Sequence, residues 1–432
     1  GTHRIRPAQP KRFRRLVRRC TADINAHPMT SHHYREHGTA ATVSFVNRTG
    51  VLPVRNFRLG HHPDAEAVSG EAMAARYGSR PSTCKPCAIR CGHKGTDRDG
   101  VERQIPEYET VGLLGPNLGI FDPDRLMEWN DLCGRLGMDT ISAGATLGFV
   151  MEAGERGLME TGLAFGEPDG VPEALRSIAR REGIGDDLAN GVRWLSEKHG
   201  GADFAIHVKG LELAAYNPRG TAGQGLAYAV ANRGGCHLSA YMVAMEVLFG
   251  LLSPRGASGK AVYVRFLEDL SAGINALHIC QFTMYAFLFE RPLVKWTPKP
   301  ILSALMRTLP AAAVALIDFT PYPRLWSAVT GIPLSARDFR RAGERIHVLE
   351  RYINTRMGIS RKDDTLPPRC LASDGDLEGR PVPLDRMLDD YYRGRGYDEN
   401  GVPRPETLRR LEILPDDLLK GMSPDGSRKN AQ

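Results

Sequence analysis

The stretch Cys84-Lys-Pro-Cys87-Ala-Ile-Arg-Cys91 places three cysteines within eight residues. Thiolates are ligands of soft metals, and three of them this close can surround one metal ion or cluster from a single loop. Three ligands do not complete a four-ligand site, so a fourth must come from another part of the chain. The identity of that fourth ligand decides which structures and functions are open to this sequence.

Two interpretations without an iron–sulfur cluster fit the same spacing. A Cys-x-x-Cys pair is often half of a zinc site, but the chain has no second pair, and His93 would complete a Cys₃His site only in a cramped geometry. Disulfides would imply an oxidising compartment, and residues 1–83 contain no stretch of signal-peptide character. Spacing alone leaves an iron–sulfur cluster, a zinc ion and metal-free thiols open.

Length and composition are typical of a globular protein. The 432 residues are enough for two or three domains, and 42% of them are hydrophobic and 25% charged. No run of eighteen apolar residues occurs, so no membrane-spanning helix is predicted. Five of the eight cysteines are scattered, which favours a reducing compartment and predicts a cytoplasmic protein.

Hydrophobic residues recur at helical spacing along most of the chain, and few segments alternate with a period of two. We therefore predict an all-α, multihelical fold. Residues 30–83 are predicted as loops around short elements. Residues 166–202 are polar, and Gly166–Gly170 and Gly183–Gly185 within them are predicted as connecting turns. The chain is predicted to end in a polar, mobile stretch after Gly421. One predicted helix begins at Pro123, directly after Asp122. Further helices are predicted over about 140–157, 220–252, 259–291, 301–317, 337–354 and 384–393.

The N-terminal region is strongly basic. Residues 11–19 read Lys-Arg-Phe-Arg-Arg-Leu-Val-Arg-Arg and have the spacing of a helix with Phe13, Leu16 and Val17 on its inner side. Such a helix would present its charged face to solvent. No aromatic base-stacking pattern accompanies the charges, so we expect no nucleic-acid partner.

A series of motifs runs through the chain in a fixed order. It consists of Tyr34-Arg-Glu-His-Gly-Thr-Ala-Ala, Asn47-Arg-Thr-Gly-Val-Leu-Pro-Val-Arg-Asn56, the cysteine run, Pro106-Glu-Tyr-Glu-Thr110, Gly137-Met-Asp-Thr-Ile-Ser142, Tyr216-Asn-Pro-Arg-Gly220, Asn232-Arg-Gly-Gly-Cys-His-Leu238 and Arg361-Lys-Asp-Asp-Thr-Leu-Pro-Pro368. The series resembles the second and third domains of the aldehyde ferredoxin oxidoreductase family, whose members are tungsten (occasionally molybdenum) bis-pterin enzymes. The resemblance runs nearly end to end.

The resemblance implies two packed helical domains, which we place at residues 1–212 and 213–432. It implies that Cys84, Cys87 and Cys91 bind one 4Fe–4S cluster together with a distant cysteine, which here is Cys280. The family's first domain, which packs over the pterins, has no counterpart in the sequence. We therefore expect a separate chain to carry that domain and to share the tungsten–bis-pterin cofactor, or its molybdenum equivalent.

The resemblance also implies an oxidoreductase that converts aldehydes to carboxylic acids. That reaction needs water to attack the carbonyl carbon and two electrons to leave, and a carboxylate and an imidazole are suited to move the protons near neutral pH. The family's glutamate and histidine near tungsten match Glu109 and His237. Electrons would pass to ferredoxin or a similar acidic redox protein, a partner that the net charge of +7 suits.

Family members carry two Asp-x-x-Gly-Leu motifs whose aspartates bind the pterins. The first matching segment reads Gly134-Arg-Leu-Gly-Met-Asp139, with glycine in place of the aspartate. The second reads Asn275-Ala-Leu-His-Ile-Cys280, with asparagine for the aspartate and histidine for the glycine. The resemblance implies pterin contacts through the residues that remain, which are Met138, Asp139, Asn275 and Ile279.

Three functions stay open. The chain is an aldehyde-oxidising subunit with altered pterin contacts, or a relative of the ring-reducing benzoyl-coenzyme A reductase branch, or a pterin-free iron–sulfur subunit for electron transfer or scaffolding. Retention of Glu109, His237 and the four cysteines favours the first two. The changed pterin motifs and the missing first domain favour the third.

Overall fold

The computed structural model describes residues 6–290, 292–373 and 375–414, and its helices confirm the predicted all-α, multihelical fold. In the first half of the chain the α-helices are α1 (Pro10–Ala26), α2 (Tyr34–His37), α3 (Thr42–Arg48), α4 (Gly70–Tyr77), α5 (Tyr108–Leu114), α6 (Pro123–Leu136), α7 (Thr140–Glu155), α8 (Val171–Arg180), α9 (Ile184–Leu188) and α10 (Gly191–His199). In the second half they are α11 (Ala222–Val230), α12 (Lys260–Ala276), α13 (Thr283–Phe289), α14 (Pro292–Trp296), α15 (Lys299–Thr308), α16 (Pro310–Ala315), α17 (Pro321–Thr330), α18 (Ala336–Arg356), α19 (Pro368–Leu371), α20 (Leu384–Arg395) and α21 (Pro405–Arg410).

The β-structure is small and antiparallel. One three-stranded sheet has the order β1 (Arg80–Pro81), β2 (His93–Thr96) and β3 (Glu102–Gln104), and a hairpin joins β4 (His207–Val208) to β5 (Leu211–Glu212). In the larger sheet Arg80 lies opposite Lys94, and Lys94 lies opposite Gln104. Both sheets border irregular segments that carry candidate functional residues.

Helix α6 begins where predicted, and α7 begins and ends close to its predicted bounds. The Asp122 carboxylate accepts a hydrogen bond from the backbone N–H of Asp124 (2.9 Å), and Pro123 occupies the first turn of α6. Leu126, Trp129 and Cys133 lie at helical spacing on α6 and are fully buried. Helix α7 ends just before Gly157, whose φ of +69° is the conformation that stops a helix.

Two regions contain more helix than predicted. Residues 166–202 hold α8, α9 and α10, whose apolar side chains, such as Leu175, pack into the core while charged residues cover the exposed faces. Gly185 is not a turn residue, because it lies inside α9, where a Cβ would come within 2.2 Å of the backbone of Ser177 on α8. Residues 30–83 likewise hold α2, α3 and α4.

Two long predicted helices are interrupted. The one predicted over 220–252 ends as α11 at Val230, and an irregular segment follows. The one predicted over 259–291 divides into α12 and α13, because His278 adopts a left-handed φ of +54° and ends α12. The turn between them contains Cys280. The predicted tail after Gly421 lies outside the described residues.

One continuous hydrophobic core runs from Cys20 to Leu411. Helix α12 packs against α18 and α20, and α5 packs against α7. The division into residues 1–212 and 213–432 stays a prediction. Within the part of the chain that the structure describes, no helix has both the length and the apolar character needed to cross a bilayer.

A buried ion-pair network joins distant parts of the chain. The Glu152 carboxylate on α7 accepts hydrogen bonds from Asn56 Nδ2 (2.8 Å) and Arg369 Nη2 (2.6 Å). Burial opposes ionisation, but Arg369 and Asn56 outweigh it, so the pKa of Glu152 lies below its ordinary value. A carboxyl group whose pKa falls on folding adds stability above its unfolded pKa and loses it as pH falls through the folded value.

We expect Glu152→Gln to lower the free energy of unfolding at pH 7 by about 3–5 kcal/mol, because it leaves buried Arg369 without its counter-charge. Denaturant unfolding measures the loss, which should shrink in acid as the wild-type carboxylate is protonated. The control is Glu155→Gln, one turn away, whose carboxylate pairs with Arg58 nearer the surface and should contribute less than about 1 kcal/mol. Equal losses in the two variants would contradict this account.

Candidate functional site

The cysteine run is the connection of a β-hairpin. Strands β1 and β2 pair on either side of it, and the backbone N–H of Ser82 donates to the carbonyl of Gly92 (2.9 Å) at its base. Inside the loop the backbone N–H of Arg90, at a left-handed φ of +61°, lies 3.5 Å from Cys87 Sγ. The hairpin therefore holds three thiols in a short, closed loop.

Cys280 approaches this loop from the other half of the chain. Its thiol lies close enough to the loop thiols for their charges to influence one another. Burial, followed by the charges of Glu107 and Cys280, raises the pKa of Cys91 to about 12. Cys280 is exposed, but partial desolvation of its thiol, together with the charges of Cys87 and Cys84, raises its pKa as well. All eight cysteines are free thiols. The structure thus brings together the four cysteines that the sequence predicts as ligands.

The spacing of the four thiols bears on which metal they could bind. A tetrahedral zinc site with Zn–S bonds of about 2.3 Å would hold its sulfurs roughly 3.8 Å apart. Among the described residues, the only three potential ligand atoms within 4.8 Å of one another belong to His32, Glu36 and His37. No three of the cysteine sulfurs therefore lie mutually within 4.8 Å, and a cluster, in which each thiolate binds a different iron, needs its sulfurs farther apart than a zinc ion does.

The chemistry of the four thiols also fits a cationic cluster. Crowded thiolates repel one another, and iron would compensate their charge and hold them deprotonated. Burial disfavours the thiolate of Cys87, but hydrogen bonds from the backbone of Arg90 and Ile89 prevail and lower its pKa. His93 does not compete as a ligand, because its Nδ1 and Nε2 lie 3.1 and 2.9 Å from the carbonyl oxygens of Cys91 and Arg35.

The two predicted proton-transfer residues face each other. Glu109 lies in the first turn of α5, and its Oε2 accepts a hydrogen bond from the backbone N–H of Ala215 (2.7 Å). Its Oε1 is buried, has no hydrogen-bond partner among the described residues, and lies 3.4 Å from His237 Nε2. The pair therefore offers one free carboxylate oxygen beside one imidazole, which is an arrangement suited to general acid–base chemistry.

Two glycines place His237. Gly234 and Gly235 precede it in the irregular segment after α11, and a Cβ on either would come within 3 Å of the backbone of the β4–β5 hairpin. Gly234 also has a φ of +104°. Only glycine allows this close approach, which fixes the segment against the hairpin and aims His237 at Glu109.

Glu109 and His237 line a cavity of about 130 Å³ whose walls are almost entirely apolar. None of the described residues that line it is a lysine or an arginine. A second apolar cavity of about 80 Å³ lies behind it, across a shared wall. That wall is formed by Met245, Leu267, Leu288 and Phe289.

A chain of tyrosine hydroxyls crosses the first cavity and was not predicted from the sequence. Tyr216 and Tyr241 share a hydrogen bond (2.9 Å), and the hydroxyls of Tyr285 and Tyr34 lie 3.3 Å apart. Tyr241 lies close enough to Tyr285 for each to affect the pKa of the other. Burial raises the pKa of all four above the ordinary value, so they are neutral donors. Tyr34 and Tyr216 each begin a motif quoted above, but no spacing rule indicates that their hydroxyls connect.

The two candidate pterin segments are helix ends of the same geometry. After α6, Gly137 has a φ of +69° and the N–H of Met138 donates to a carbonyl of the last turn (2.9 Å). After α12, His278 has a φ of +54° and the N–H of Ile279 donates in the same way (3.2 Å). Both are Schellman ends, so His278 keeps the left-handed backbone for which the family's motif has glycine.

The side chains of these segments are only partly free for a cofactor. Asp139 caps α7, where its carboxylate accepts a hydrogen bond from the N–H of Ser142 (3.0 Å). Asn275 Oδ1 accepts one from Gln281 Nε2 (3.0 Å). Gly134 is exposed, and a Cβ there would meet no atom within 4 Å. Open space therefore lies where the motif's aspartate is missing, and the pterin contacts stay a prediction.

Three concavities meet beside these helix ends. One is the Glu109 and His237 cavity, one borders Asp139, and one borders Asn275. Leu238, at 43% exposure, lines all three. Exposed Arg233 lines the latter two and has no ion-pair partner within the described part of the chain, so its guanidinium is available to an anionic group. Paired helix ends, a free guanidinium and open space fit a phosphate-bearing pterin.

Comparison with known proteins identifies one family. The model of aldehyde ferredoxin oxidoreductase domains 2 and 3 matches residues 15–413. Tungsten-containing aldehyde ferredoxin oxidoreductases of Pyrococcus furiosus and Thermococcus kodakarensis are each 35% identical to the chain, over 96% of its length and 66% of their own. The chain thus spans about two thirds of the length of these relatives.

Two further proteins are more distant. A protein of Pyrococcus furiosus described as the WOR-like subunit of aliphatic sulfonate oxidoreductase is 28% identical, over 88% of this chain and 58% of its own length. The active-site complex of benzoyl coenzyme A reductase with 1,5-dienoyl-CoA superposes with a TM-score of 0.70 at 18% identity, over 97% of this chain and 68% of that one. The latter likeness concerns the fold.

We expect Cys280→Ala to lower the iron and acid-labile sulfide of the purified protein below four each per chain and to weaken its broad visible absorbance, because one iron loses its thiolate. Metal analysis and sulfide assay measure the change. The control is Cys133→Ala, a buried cysteine of α6 outside the cysteine loop, which should keep both contents. Zinc without sulfide in the wild-type protein would reject the cluster.

Proposed function

The chain belongs to the aldehyde ferredoxin oxidoreductase family, and on that premise we propose that it is the part of a tungsten–pterin oxidoreductase that holds the 4Fe–4S cluster and the proton-transfer residues for oxidising aldehydes to carboxylic acids. The observation that carries the proposal is the free, buried Oε1 of Glu109 beside His237 in an apolar cavity. A buried carboxylate oxygen left without a hydrogen bond costs stability, which is explained if Oε1 serves catalysis.

The proposed reaction converts an aldehyde and water into a carboxylic acid, two electrons and two protons. A tungsten–pterin centre would supply the acceptor of the two electrons, and a cluster held by the four cysteines would supply a route for their release. Glu109 Oε1 takes a proton from the attacking water, while the N–H of Ala215 holds the other carboxylate oxygen in place. His237, 3.4 Å away, carries that proton onward. The tyrosine hydroxyls supply neutral donors for the substrate oxygen.

The cavity also indicates a substrate class. Its apolar wall favours the hydrocarbon part of a neutral aldehyde, and the second apolar cavity behind it extends this environment. A carboxylate, sulfonate or phosphate group on the substrate would lie near Glu107 and Glu109 with no lining lysine or arginine among the described residues. Burying such a charge without a partner is costly. We propose uncharged, apolar aldehydes as substrates.

One observation favours a second candidate, a pterin-free iron–sulfur subunit for electron transfer or scaffolding. Gly134 offers no side chain to a pterin, and the carboxylate of Asp139 is engaged by α7. Metal analysis of the native protein separates the two candidates. Tungsten or molybdenum together with iron would support the oxidoreductase, and iron alone would support the second candidate. Ring reduction gains no support from the site, because that likeness concerns the fold.

We expect Glu109→Gln to lower kcat for aldehyde oxidation by a factor of about 10² or more, because the amide keeps the shape and the bond from Ala215 but is not a base. His237→Asn should act similarly. Tungsten and iron contents should stay unchanged, which separates loss of chemistry from loss of cofactor. The control is Glu128→Gln on the surface of α6, which should keep full activity. Unaltered turnover in Glu109→Gln would remove this residue from the mechanism.

We expect kcat/KM for 4-carboxybenzaldehyde to be lower than for 4-methylbenzaldehyde by a factor of about 10² or more, because the added carboxylate would be buried without a cation. Steady-state kinetics with a dye acceptor measures the ratio. The two aldehydes have similar size, so the comparison isolates charge. Equal values would contradict the proposed substrate class.

A further inference from the structure

Helix α1 carries a dense positive face. Its exposed cationic side chains are Lys11, Arg12, Arg14, Arg15, Arg18 and Arg19. Within the described residues none of them forms an ion pair, and Arg12 has a hydrogen bond to Gln9. The opposite side of the helix, with Cys20 and Ile24, is buried in the core. The positive charge is therefore unneutralised by the fold and faces solvent.

Helix α1 lies beside the cysteine loop. Arg35 Nη2 donates hydrogen bonds both to Asn25 Oδ1, in the last turn of α1, and to the carbonyl of Ala88 within the loop, each at 2.6 Å. Helix α1 also packs against α13, which begins three residues after Cys280. At 1.5 Å per residue, Arg18 is about 10 Å along the axis from Asn25. The positive face thus begins close to the proposed cluster.

The loop itself adds positive charge around an exposed metal site. Lys85 and Arg90 are exposed and form no ion pair with any described residue. Cys84 and Cys280 are exposed as well. A cluster bound by these cysteines would lie near solvent here, with cations on the loop and on α1 beside it.

We propose that the basic face of α1, together with Lys85 and Arg90, is the docking surface for a small acidic electron-transfer protein. The proposal rests on the proposed function, because it takes the 4Fe–4S cluster as the point where electrons leave. Each aldehyde releases two electrons, so an acceptor that takes one electron must dock and leave twice per turnover. Complementary charge suits such an encounter, because it speeds association without demanding a large apolar interface.

The same face is poorly suited to single-stranded nucleic acid. Sequence-tolerant binding of that kind combines basic residues with aromatic side chains on which bases stack. Phe13, the aromatic residue of α1, belongs to the inward side of the helix and is only partly exposed. A redox protein must dock close to the cluster to receive an electron, whereas nucleic-acid binding has no such requirement.

The test is charge reversal on α1 in the full, cofactor-loaded enzyme. In Arg15→Glu with Arg18→Glu, both new residues are good helix formers, so the helix should persist. We expect the Kd for an acidic ferredoxin with a single, one-electron cluster, measured by titration calorimetry at low salt, to rise about tenfold or more and to lose much of its salt dependence. The KM for this ferredoxin should rise in parallel, while the rate with methyl viologen stays unchanged.

The matched control changes net charge equally elsewhere. Arg356 on α18 and Arg386 on α20 are exposed and form no ion pair with described residues, and both helices pack on α12. Arg356→Glu with Arg386→Glu should leave ferredoxin binding within about twofold of wild type. If the α1 variant does not accumulate, Arg15→Gln with Arg18→Gln should give a smaller rise in the same direction.

Two results would overturn the proposal. An unchanged ferredoxin Kd in the α1 variant would show that the face serves something else, such as a nucleic acid or an anionic membrane. If the control variant binds ferredoxin as weakly as the α1 variant, the effect comes from the net charge of the protein and not from the α1 face. If the wild-type enzyme does not oxidise aldehydes with methyl viologen as acceptor, the proposed function is refuted instead. The calorimetric Kd does not depend on that activity, so the two failures can be told apart.

Discussion

The proposed metal site is possible only because Cys280 approaches a hairpin loop about 190 residues earlier in the chain. Two local structures make that approach possible. Strands β1 and β2 close the loop, and the left-handed turn at His278 stops α12 so that the chain turns back toward it. Neither half holds four ligands alone, so a bound cluster would tie the two halves together and add its binding free energy to folding.

The Glu109 and His237 pair also depends on backbone that only certain residues permit. Gly234 and Gly235 let one segment pack directly on the β4–β5 hairpin, and the N–H of Ala215 fixes the carboxylate from the other side. The result is a preorganised pair at the mouth of an apolar cavity. Preorganisation of this kind has a cost in stability, which buried networks elsewhere, such as that of Glu152, help to offset.

Much of the fold was predictable because its signals are local. The Asp122 cap, the apolar spacing of α6 and the scarcity of alternating segments all act within a few residues. The helices over 166–202 were missed because most of their residues are charged or polar and only a few apolar side chains, such as Leu175, are buried. The break at His278 was missed because a histidine at positive φ has no signature in a single sequence. The tyrosine chain from Tyr216 to Tyr34 escaped notice because it exists only after distant segments meet.

The most direct measurement is a crystal structure of the cofactor-loaded protein with anomalous data at the iron absorption edge. The account predicts one compact iron peak enclosed by the sulfurs of Cys84, Cys87, Cys91 and Cys280. An absent peak, or a peak coordinated by other residues while Cys280 Sγ points away from the loop, would contradict it.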